Sequence, residues 1–216
     1  MRELPESDAI IAIVDDDPSV RRGLQRLIRS VGWKAESFAS AQEFLARPRT
    51  EESPNCLVLD LQLPDLSGLD LQKRMVEAGL ETPIVFLTGH GNIPASVQAM
   101  KAGAIEFLTK PVDERDLLKA IQEAIERDRR TRKQHADLRE LRDRYESLTA
   151  REQEVMQQVI SGLLNKQIAA ELRITEDTVK FHRGHIMGKM RAGSLADLVR
   201  MAENLGIRSR QRSAPK

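Results

Sequence analysis

Polar side chains that could do chemistry follow several short apolar runs in the first 125 residues. The residues at these run ends are Asp15, Asp16, Asp17, Asp60, Thr88 and Lys110. An Asp that follows a strand usually caps a turn or a helix, and a single Lys-Pro pair is usually part of a loop. The carboxyl ends of parallel strands, however, meet at one edge of a sheet, where ligands bind in such folds. If the runs are parallel strands, we expect these side chains to converge at that edge.

Carboxylates gathered at one edge predict a particular chemistry. They repel one another unless a cation neutralises them, and hard oxygen ligands favour Mg²⁺. A carboxylate held beside Mg²⁺ and a lysine can act as a nucleophile toward phosphorus and form an aspartyl phosphate. Several carboxylates, a hydroxyl and an amine at successive strand ends favour such a site over a set of unrelated turn caps.

The elements that must position these side chains alternate between strand and helix patterns. Runs rich in Ile, Val and Leu are typical of buried parallel strands, and they lie at 10–14, 33–38, 56–60, 83–88 and 105–109. Helical stretches lie at 18–31, 41–47, 69–78, 94–102 and 114–126. Five strand-then-helix units predict an α/β domain over residues 1–125, with a doubly wound, five-stranded parallel sheet.

The remainder of the chain is helical in pattern. Residues 113–147 form one long charged stretch without Gly or Pro. Its apolar stripes do not share one heptad register, so a helical linker over 126–147 is favoured, with partial pairing of two copies as the alternative. An all-α domain is predicted over 148–208, and the tail, 209–216, is predicted to be disordered. The four helices expected in that domain are Thr149–Ile160, Asn165–Leu172, Thr175–Met190 and Ser194–Leu205.

Charge and composition narrow the class of protein. The net charge is +1, but acidic residues outnumber basic ones in 1–125 and the reverse holds in 148–216. This asymmetry indicates that the two segments have different functions, and that the basic segment, 148–216, has a polyanionic partner. The longest apolar runs are far shorter than the ~20 residues that span a bilayer, the N-terminus lacks a signal-peptide pattern, and the single cysteine cannot form an internal disulfide. We therefore expect a cytoplasmic protein with no membrane partner.

A basic helical pair lies in the second half of the chain. The stretch NKQIAAELRITEDTVKFHRGHIMGKM, which begins at Asn165, has the pattern of a helix-turn-helix motif. The face of its second helix that should pack inward is formed by Val179, Ile186 and Met190. Lys180 and Phe181 face away, and Arg183 flanks the packed side. Lys and Arg can contact guanine edges or phosphates, and an apolar side chain can contact a thymine methyl group.

The first half of the chain resembles a known family. The pattern VDDD…LVLDLQLPDLSG…VFLTGHG…AGAIEFLTKP is similar to the receiver domain of bacterial two-component response regulators, over residues 8–125. The resemblance implies that Asp60 accepts a phosphoryl group from a sensor histidine kinase. It also implies that Mg²⁺ is bound by Asp15, Asp16, Asp60 and the backbone carbonyl of Gln62.

Further receiver positions follow from the same resemblance. Thr88 and Lys110 are implied to contact the phosphoryl oxygens, and Phe107 is implied to be an aromatic switch. The Lys110–Pro111 bond is expected to be cis, an arrangement essentially confined to X-Pro bonds. The alternative is a phosphohydrolase that also forms an aspartyl phosphate. Such enzymes commonly carry a second Asp two residues after the nucleophile as general acid, and Gln62 stands there instead, so we expect a protein that is not an enzyme.

The second half of the chain resembles another family. The motifs LTAREQEV, SGLLNKQIAAEL, TEDTVKFHR and SLADLVR are similar to the DNA-binding domain of the LuxR/NarL class, over residues 146–206. With the receiver in front, the whole chain resembles FixJ-type transcription factors. The resemblance implies that Ser194–Leu205 supplies a dimer contact. It places bases or backbone near Lys180, Phe181 and Arg183, and phosphates near Lys166 and Thr178.

Two features depart from that family. Phe181 is bulkier than the small branched residue typical of its position, and Gly184 and Gly188 leave the exposed face bare. Each glycine costs up to ~1 kcal/mol of helix stability relative to Ala. Our hypothesis is that the bare face permits close approach of the backbone to DNA. His182 and His185 lie three residues apart, and packing or phosphate contact is favoured over a metal site because no cysteine or carboxylate pair is expected beside them.

Phosphorylation is expected to couple the two halves through new charge and new acceptor oxygens. Thr88 could turn toward the phosphoryl group while Phe107 fills the space that it leaves. The surface that would be remodelled, and would pair or release the DNA-binding domain, is formed by Val97, Met100, Lys101 and Ile105. We therefore expect a phosphorylation-promoted homodimer that binds promoter DNA and, with RNA polymerase, activates transcription. A helical domain that binds another protein or RNA is the alternative, and salt-dependent binding to duplex DNA would separate the two.

Overall fold

The computed structural model describes residues 8–48, 53–89 and 93–207. The chain forms two compact units, Met1–Arg132 and Lys133–Lys216. The predicted disordered tail, 209–216, lies outside the described residues. Within the described ranges, no helix is both long enough and apolar enough to cross a membrane.

The first unit is built on a parallel sheet of five strands in the order β2-β1-β3-β4-β5. The strands are β1 Ile10–Val14, β2 Lys34–Phe38, β3 Cys56–Asp60, β4 Ile84–Thr88 and β5 Glu106–Thr109. The helices that alternate with them are α1 Pro18–Ser30, α2 Ala41–Leu45, α3 Gly68–Glu77, α4 Ile93–Lys101 and the start of α5 Glu114–Glu146. The predicted doubly wound sheet is confirmed, with helix and strand ends shifted by a residue or two.

The sheet is covered on both faces, which explains why its central strands are apolar throughout. Successive side chains of a strand point to opposite faces. Ile11 and Ile13 therefore join one core cluster with residues of α1 and α5, whereas Ala12 and Val14 join another with residues of α2, α3 and α4. All residues of β1, β3 and β4 are buried. The charged and hydroxyl side chains of these three strands, Asp60 and Thr88, accordingly stand at the strand ends.

The long charged helix predicted over 113–147 is α5, Glu114–Glu146. Leu117 and Ile121 of its first turns are fully buried in the core of the first unit. Farther along, the buried carboxylate of Asp128 accepts a bond from the side chain of Asn55 at 2.7 Å and one from Arg132 at 2.6 Å. Leu141, near the end of the helix, belongs to the core of the second unit.

The second unit adds four helices, α6 Ala150–Ile160, α7 Asn165–Leu172, α8 Glu176–Met190 and α9 Leu195–Asn204. Three of them begin one residue later than predicted, because Thr149, Thr175 and Ser194 act as N-caps whose side chains accept bonds from the first turn. The turn between α7 and α8 is made at Arg173, which adopts a left-handed conformation with φ of 53°. The helix-turn-helix pattern is therefore present at the predicted residues.

Candidate functional site

The carboxylates predicted to converge do so at the carboxyl edge of the sheet. Asp15 follows β1 and is 1% exposed, and Asp60 ends β3 and is 6% exposed. Asp16 is exposed beside them. One oxygen from each of the three carboxylates lies within 4.8 Å of the other two. This spacing allows a single small cation to contact all three.

Lys110, after β5, forms ion pairs with both buried carboxylates. Its ammonium nitrogen lies 2.6 Å from Oδ2 of Asp15 and 2.5 Å from Oδ2 of Asp60. Burial works against the charged amine, but the bonds to the two carboxylates outweigh it and raise the pKa of Lys110. Burial also raises the pKa of Asp15, despite the bond from Lys110 that lowers it. The Lys110–Pro111 bond is cis, as predicted.

The donor set at this edge fits a hard divalent cation. Three carboxylates, two of them buried, are ligands of the kind that Mg²⁺ prefers. The loop after β3 closes over the same point, since the backbone N–H of Gln62 donates to Oδ1 of Asp60 at 2.9 Å. This bond fixes the orientation of the Asp60 carboxylate and keeps Gln62 beside the acidic cluster.

The other predicted receiver residues lie along β4 and β5. Thr88, fully buried, ends β4, and its carbonyl accepts a bond from the backbone N–H of Lys110 at 2.7 Å. Phe107 of β5 is half-buried against the core, and its ring centroid lies 6.1 Å from that of Phe86. The structure thus brings Thr88 and Lys110 to the same edge as Asp60, with Phe107 earlier on β5.

Two further residues, whose roles were not predicted from the sequence, shape this edge. A Cβ on Gly68 would lie 2.5 Å from the carbonyl oxygen of Asp60 and 3.1 Å from the ring of Phe86, so only glycine fits there without a shift. Arg21 donates to the backbone carbonyls of Asp15 and Asp16 at 2.6 and 2.9 Å, which braces the loop after β1. Gly68 is the last residue of the motif LVLDLQLPDLSG, which marked it as a loop residue without showing its packing, whereas no local pattern singles out Arg21.

The predicted dimer surface is only partly apolar. Val97 and Met100 on α4 are 47% and 44% exposed, and Lys101 is exposed at the end of the same helix. Ile105 is half-buried, and its backbone N–H donates to the carbonyl of Ile84. Ile93, which was not predicted, is the most exposed large apolar residue of α4, at 77%.

In the second unit, α8 packs as predicted and leaves a polar and aromatic surface. Val179, Ile186 and Met190 are buried. Lys180 is exposed and pairs with Asp177 at 3.0 Å. The remaining predicted DNA-contact residues are the exposed Phe181 and Lys166, and the half-buried Thr178 and Arg183.

A buried carboxylate that packs against α8 was also not predicted from the sequence. Glu152 on α6 is 3% exposed and forms a capping box with Thr149. Its Oε2 accepts a bond from Lys189 on α8 at 2.6 Å, and this bond is the main reason that the pKa of Glu152 falls to about 2. The other oxygen lies 3.6 Å from Nδ1 of His185. The Glu152 carboxylate of α6 therefore contacts two side chains of α8, which holds the two helices together.

Comparisons with known proteins agree with both halves of this description. The family of response regulator receiver domains matches residues 11–122, and the luxR family of bacterial regulatory proteins matches residues 146–202. Nodulation protein W of Bradyrhizobium diazoefficiens is 51% identical over 199 residues, which cover 92% of this chain and 87% of that protein. The transcriptional regulatory protein FixJ of Rhizobium meliloti is 38% identical over 196 residues, with coverage of 91% and 96%.

Solved structures give the same result. The response regulator StyR is 48% identical and superposes with a TM-score of 0.81, covering 90% of this chain and 98% of that one. Full-length FixJ from B. japonicum is 39% identical with a TM-score of 0.54, covering 93% and 98%. Because the receiver family matches more than half of the residues and these relatives align across both units, the chain belongs to the two-component response regulators that join a receiver domain to a luxR-family DNA-binding domain.

Proposed function

We propose that Asp60 accepts a phosphoryl group from a sensor histidine kinase and that this event switches the protein to a DNA-binding dimer. The observation that carries the proposal is the bridge from Lys110 to Asp15 and Asp60 at the carboxyl edge. A lysine that already holds the acceptor carboxylate lies within reach of a phosphoryl oxygen once phosphorus is attached to Asp60.

The chemistry assigns a role to each residue of the edge. An oxygen of Asp60 attacks phosphorus, and the bond from phosphorus to the histidine nitrogen of the kinase breaks. Mg²⁺, held by Asp15, Asp16, Asp60 and the carbonyl of Gln62, would supply positive charge to the phosphoryl oxygens when bound. The ammonium group of Lys110 shifts from the Asp60 carboxylate to a phosphoryl oxygen, where its positive charge stabilises the aspartyl phosphate.

Coupling to the rest of the receiver is proposed to run through β4 and β5. The Thr88 hydroxyl turns to donate to a phosphoryl oxygen, and the half-buried ring of Phe107 moves into the space that Thr88 leaves. Phe107 packs on the core cluster that contains Phe86 and, from α4, Ala99. The predicted result is a rearranged surface of Val97, Met100, Lys101 and Ile105 that pairs with a second receiver.

The DNA-binding half is proposed to use α8 in a major groove. Lys180, Phe181 and Arg183 contact base edges or nearby backbone, and Lys166 and Thr178 contact phosphates. Arg183 is already oriented by α7, since its Nη1 lies 3.2 Å from Oδ1 of Asn165. The dimer binds promoter DNA in the cytoplasm and activates transcription with RNA polymerase as its partner.

Sedimentation velocity and DNA binding of the full-length protein, with and without a small-molecule phosphodonor and Mg²⁺, test this proposal. We expect the phosphodonor to promote dimers and to tighten binding to a duplex recovered by genomic footprinting. Asp60→Asn should abolish both responses. Asp8→Asn is the matched control, because Asp8 lies at the opposite end of β1 and pairs with Lys34. Phosphodonor-dependent dimers in Asp60→Asn would overturn the proposal.

A second measurement separates duplex DNA from a protein or RNA partner. Neutralisation of phosphates makes the affinity for duplex DNA fall steeply with salt. Replacement of a single phosphate-contacting lysine should reduce the slope of log affinity against log salt by about 1. We expect that reduction for Lys166→Ala. An affinity for duplex DNA that does not depend on salt would favour the other partners.

A further inference from the structure

An exposed aromatic side chain on α8 is held by its neighbour one turn along the helix. Phe181 is 60% exposed, and its ring centroid lies 4.1 Å from that of His185, with 46° between the ring planes. This separation is shorter than the roughly 4.5–7 Å typical of aromatic pairs, so the two rings are in direct contact. His182 approaches the same phenyl ring edge-on, at 5.9 Å. The phenyl ring therefore has contacts that restrict its rotamers, although it faces outward.

The imidazole of His185 is itself oriented by Glu152 of α6. Its Nδ1 faces Oε1 of Glu152 at 3.6 Å, which is longer than a hydrogen bond but close enough for electrostatic attraction. The carboxylate favours an imidazole that carries hydrogen on Nδ1, whether the ring is neutral or charged. Glu152 cannot turn away, because its Oε2 accepts bonds from Lys189 at 2.6 Å and from the Thr149 backbone at 2.8 Å.

The spacing of these residues places them in one row. Positions 181, 185 and 189 are successive i, i+4 neighbours on α8, so their side chains lie along one stripe of the helix. The buried Glu152 of α6 contacts Lys189 and His185 of this stripe, and the exposed Phe181 is the stripe's N-terminal residue. A fixed acidic group in the core is thus linked by one imidazole to the apolar side chain on the proposed DNA surface.

We propose that His185 is a positioning residue that fixes the ring of Phe181 against a thymine methyl group in the major groove. The inference rests on the proposed function, in which α8 enters that groove. A thymine methyl is the apolar feature of a base edge, and a phenyl ring held in one orientation discriminates for it. A freely rotating ring loses entropy when it is fixed on binding, and this loss opposes the gain from the contact.

The test is a double-mutant cycle read out as a ratio of affinities. The full-length protein, with phosphodonor and Mg²⁺, is titrated with its footprinted duplex and with duplexes in which each thymine in turn is replaced by uracil, which lacks only the methyl group. Wild type should bind one thymine duplex roughly fourfold more tightly than its uracil counterpart, the value expected for burial of one methyl group. Phe181→Ala should bring the ratio to one.

His185→Ala should also bring the ratio close to one, and adding it to Phe181→Ala should change nothing further. Misfolding lowers affinity for both duplexes alike and leaves the ratio intact, so the ratio reports positioning rather than stability. His185→Gln, which also lacks the second ring, replaces His185→Ala if that variant does not fold. Lys180→Ala is the control, because it should weaken both duplexes equally.

The outcomes separate the two proposals. A wild-type ratio in His185→Ala, together with a ratio of one in Phe181→Ala, would overturn the positioning role and leave α8 as the DNA-binding helix. Unchanged affinity for every duplex in both Phe181→Ala and Lys180→Ala would overturn the use of α8 itself. A ratio of one in wild type at every thymine would show that no methyl group is read and would overturn the inference.

Discussion

The ammonium nitrogen of Lys110 lies 2.5 Å from Oδ2 of Asp60. The residue proposed to accept phosphorus is thus bonded to a cation before any phosphodonor arrives. The same ammonium group also pairs with Asp15, so a positive charge already lies beside the proposed Mg²⁺ ligands. Two cations that share the same carboxylates oppose each other, and this opposition has a measurable consequence.

Lys110→Ala should bind Mg²⁺ more tightly but respond less to a phosphodonor. Two unit charges 4 Å apart interact by about 1 kcal/mol even in bulk water, so loss of the ammonium should strengthen Mg²⁺ binding at least about fivefold. Calorimetric titration measures that affinity, and sedimentation velocity measures the phosphodonor-dependent dimer, which should be reduced. Lys119→Ala, on the exposed side of α5, is the matched control. Equal Mg²⁺ affinities of wild type and Lys110→Ala would contradict competition at this site.

Asp15→Asn should stabilise the metal-free protein while abolishing its response to Mg²⁺. Burial raises the pKa of Asp15, so its charged form is disfavoured in the folded state and lowers stability at neutral pH. A neutral amide removes that cost and the repulsion from Asp60, for a gain of about 0.5–2 kcal/mol. Thermal unfolding with and without Mg²⁺ checks both effects. Asp16→Asn should lose the Mg²⁺ response without a gain in stability, because Asp16 is exposed. A lower melting temperature of metal-free Asp15→Asn than of the metal-free wild type would contradict this prediction.

Glu152→Gln should destabilise the second unit in a manner that depends on pH. The pKa of Glu152 is about 2 in the fold, against 4.5 ordinarily. The contribution of ionised Glu152 to the free energy of unfolding is therefore complete above pH 4.5, and it is lost as pH falls from 4.5 toward about 2. At neutral pH, loss of the charged hydrogen bond from Lys189, whose side chain is 35% exposed, should cost about 1.5–3 kcal/mol.

Tyr145 provides the measurement for this prediction. It is the only tyrosine and packs on the core of the second unit, whereas the only tryptophan, Trp33, is buried in the first. In a Trp33→Phe background, tyrosine fluorescence during urea unfolding therefore follows the second unit. The stability difference between the protein with Glu152 and its Glu152→Gln variant should shrink as pH falls, and the exposed Glu154→Gln serves as control. A difference that stays constant from about pH 6 to about pH 3 would contradict the prediction.

Gly184→Ala and Gly188→Ala should stabilise α8 and weaken DNA binding. A Cβ at either position meets no atom within 4 Å, so each change should add up to about 1 kcal/mol of helix stability. If the DNA backbone approaches this bare face, the added methyl group lowers affinity for duplex DNA. Urea unfolding and DNA titration of the same variants measure the two effects. Stabilised variants with wild-type affinity would show that close approach is not needed.

The parallel sheet and its acidic edge could be predicted because each depends on local patterns. The apolar runs of β1 and β3 predict buried strands, and Asp15 and Asp60 lie where those strands end. Parallel pairing then brings strand ends together without further information. The inward and outward faces of α8 follow from helical spacing in the same way, as the burial of Ile186 shows.

Roles that depend on distant segments could not be predicted from local patterns. Thr149 and Glu152 have the spacing of a capping box, which would have identified half of the role of Glu152. Its bond to Lys189 joins residues 37 positions apart, and nothing in either segment specifies the other. Arg21 likewise acts on carbonyl groups that any residue type would supply.

Gly68 offers a genetic tool for this protein. The side-chain space at this position is filled by the carbonyl of Asp60 and the ring of Phe86, so any replacement forces the backbone around the proposed acceptor to shift. An allele with Gly68→Ala would retain every acidic residue, the lysine and the entire DNA-binding half. Because the proposed acceptor would then be misplaced, we expect this allele not to respond to the signal, which suits it for use beside Asp60→Asn in genetic screens for the kinase.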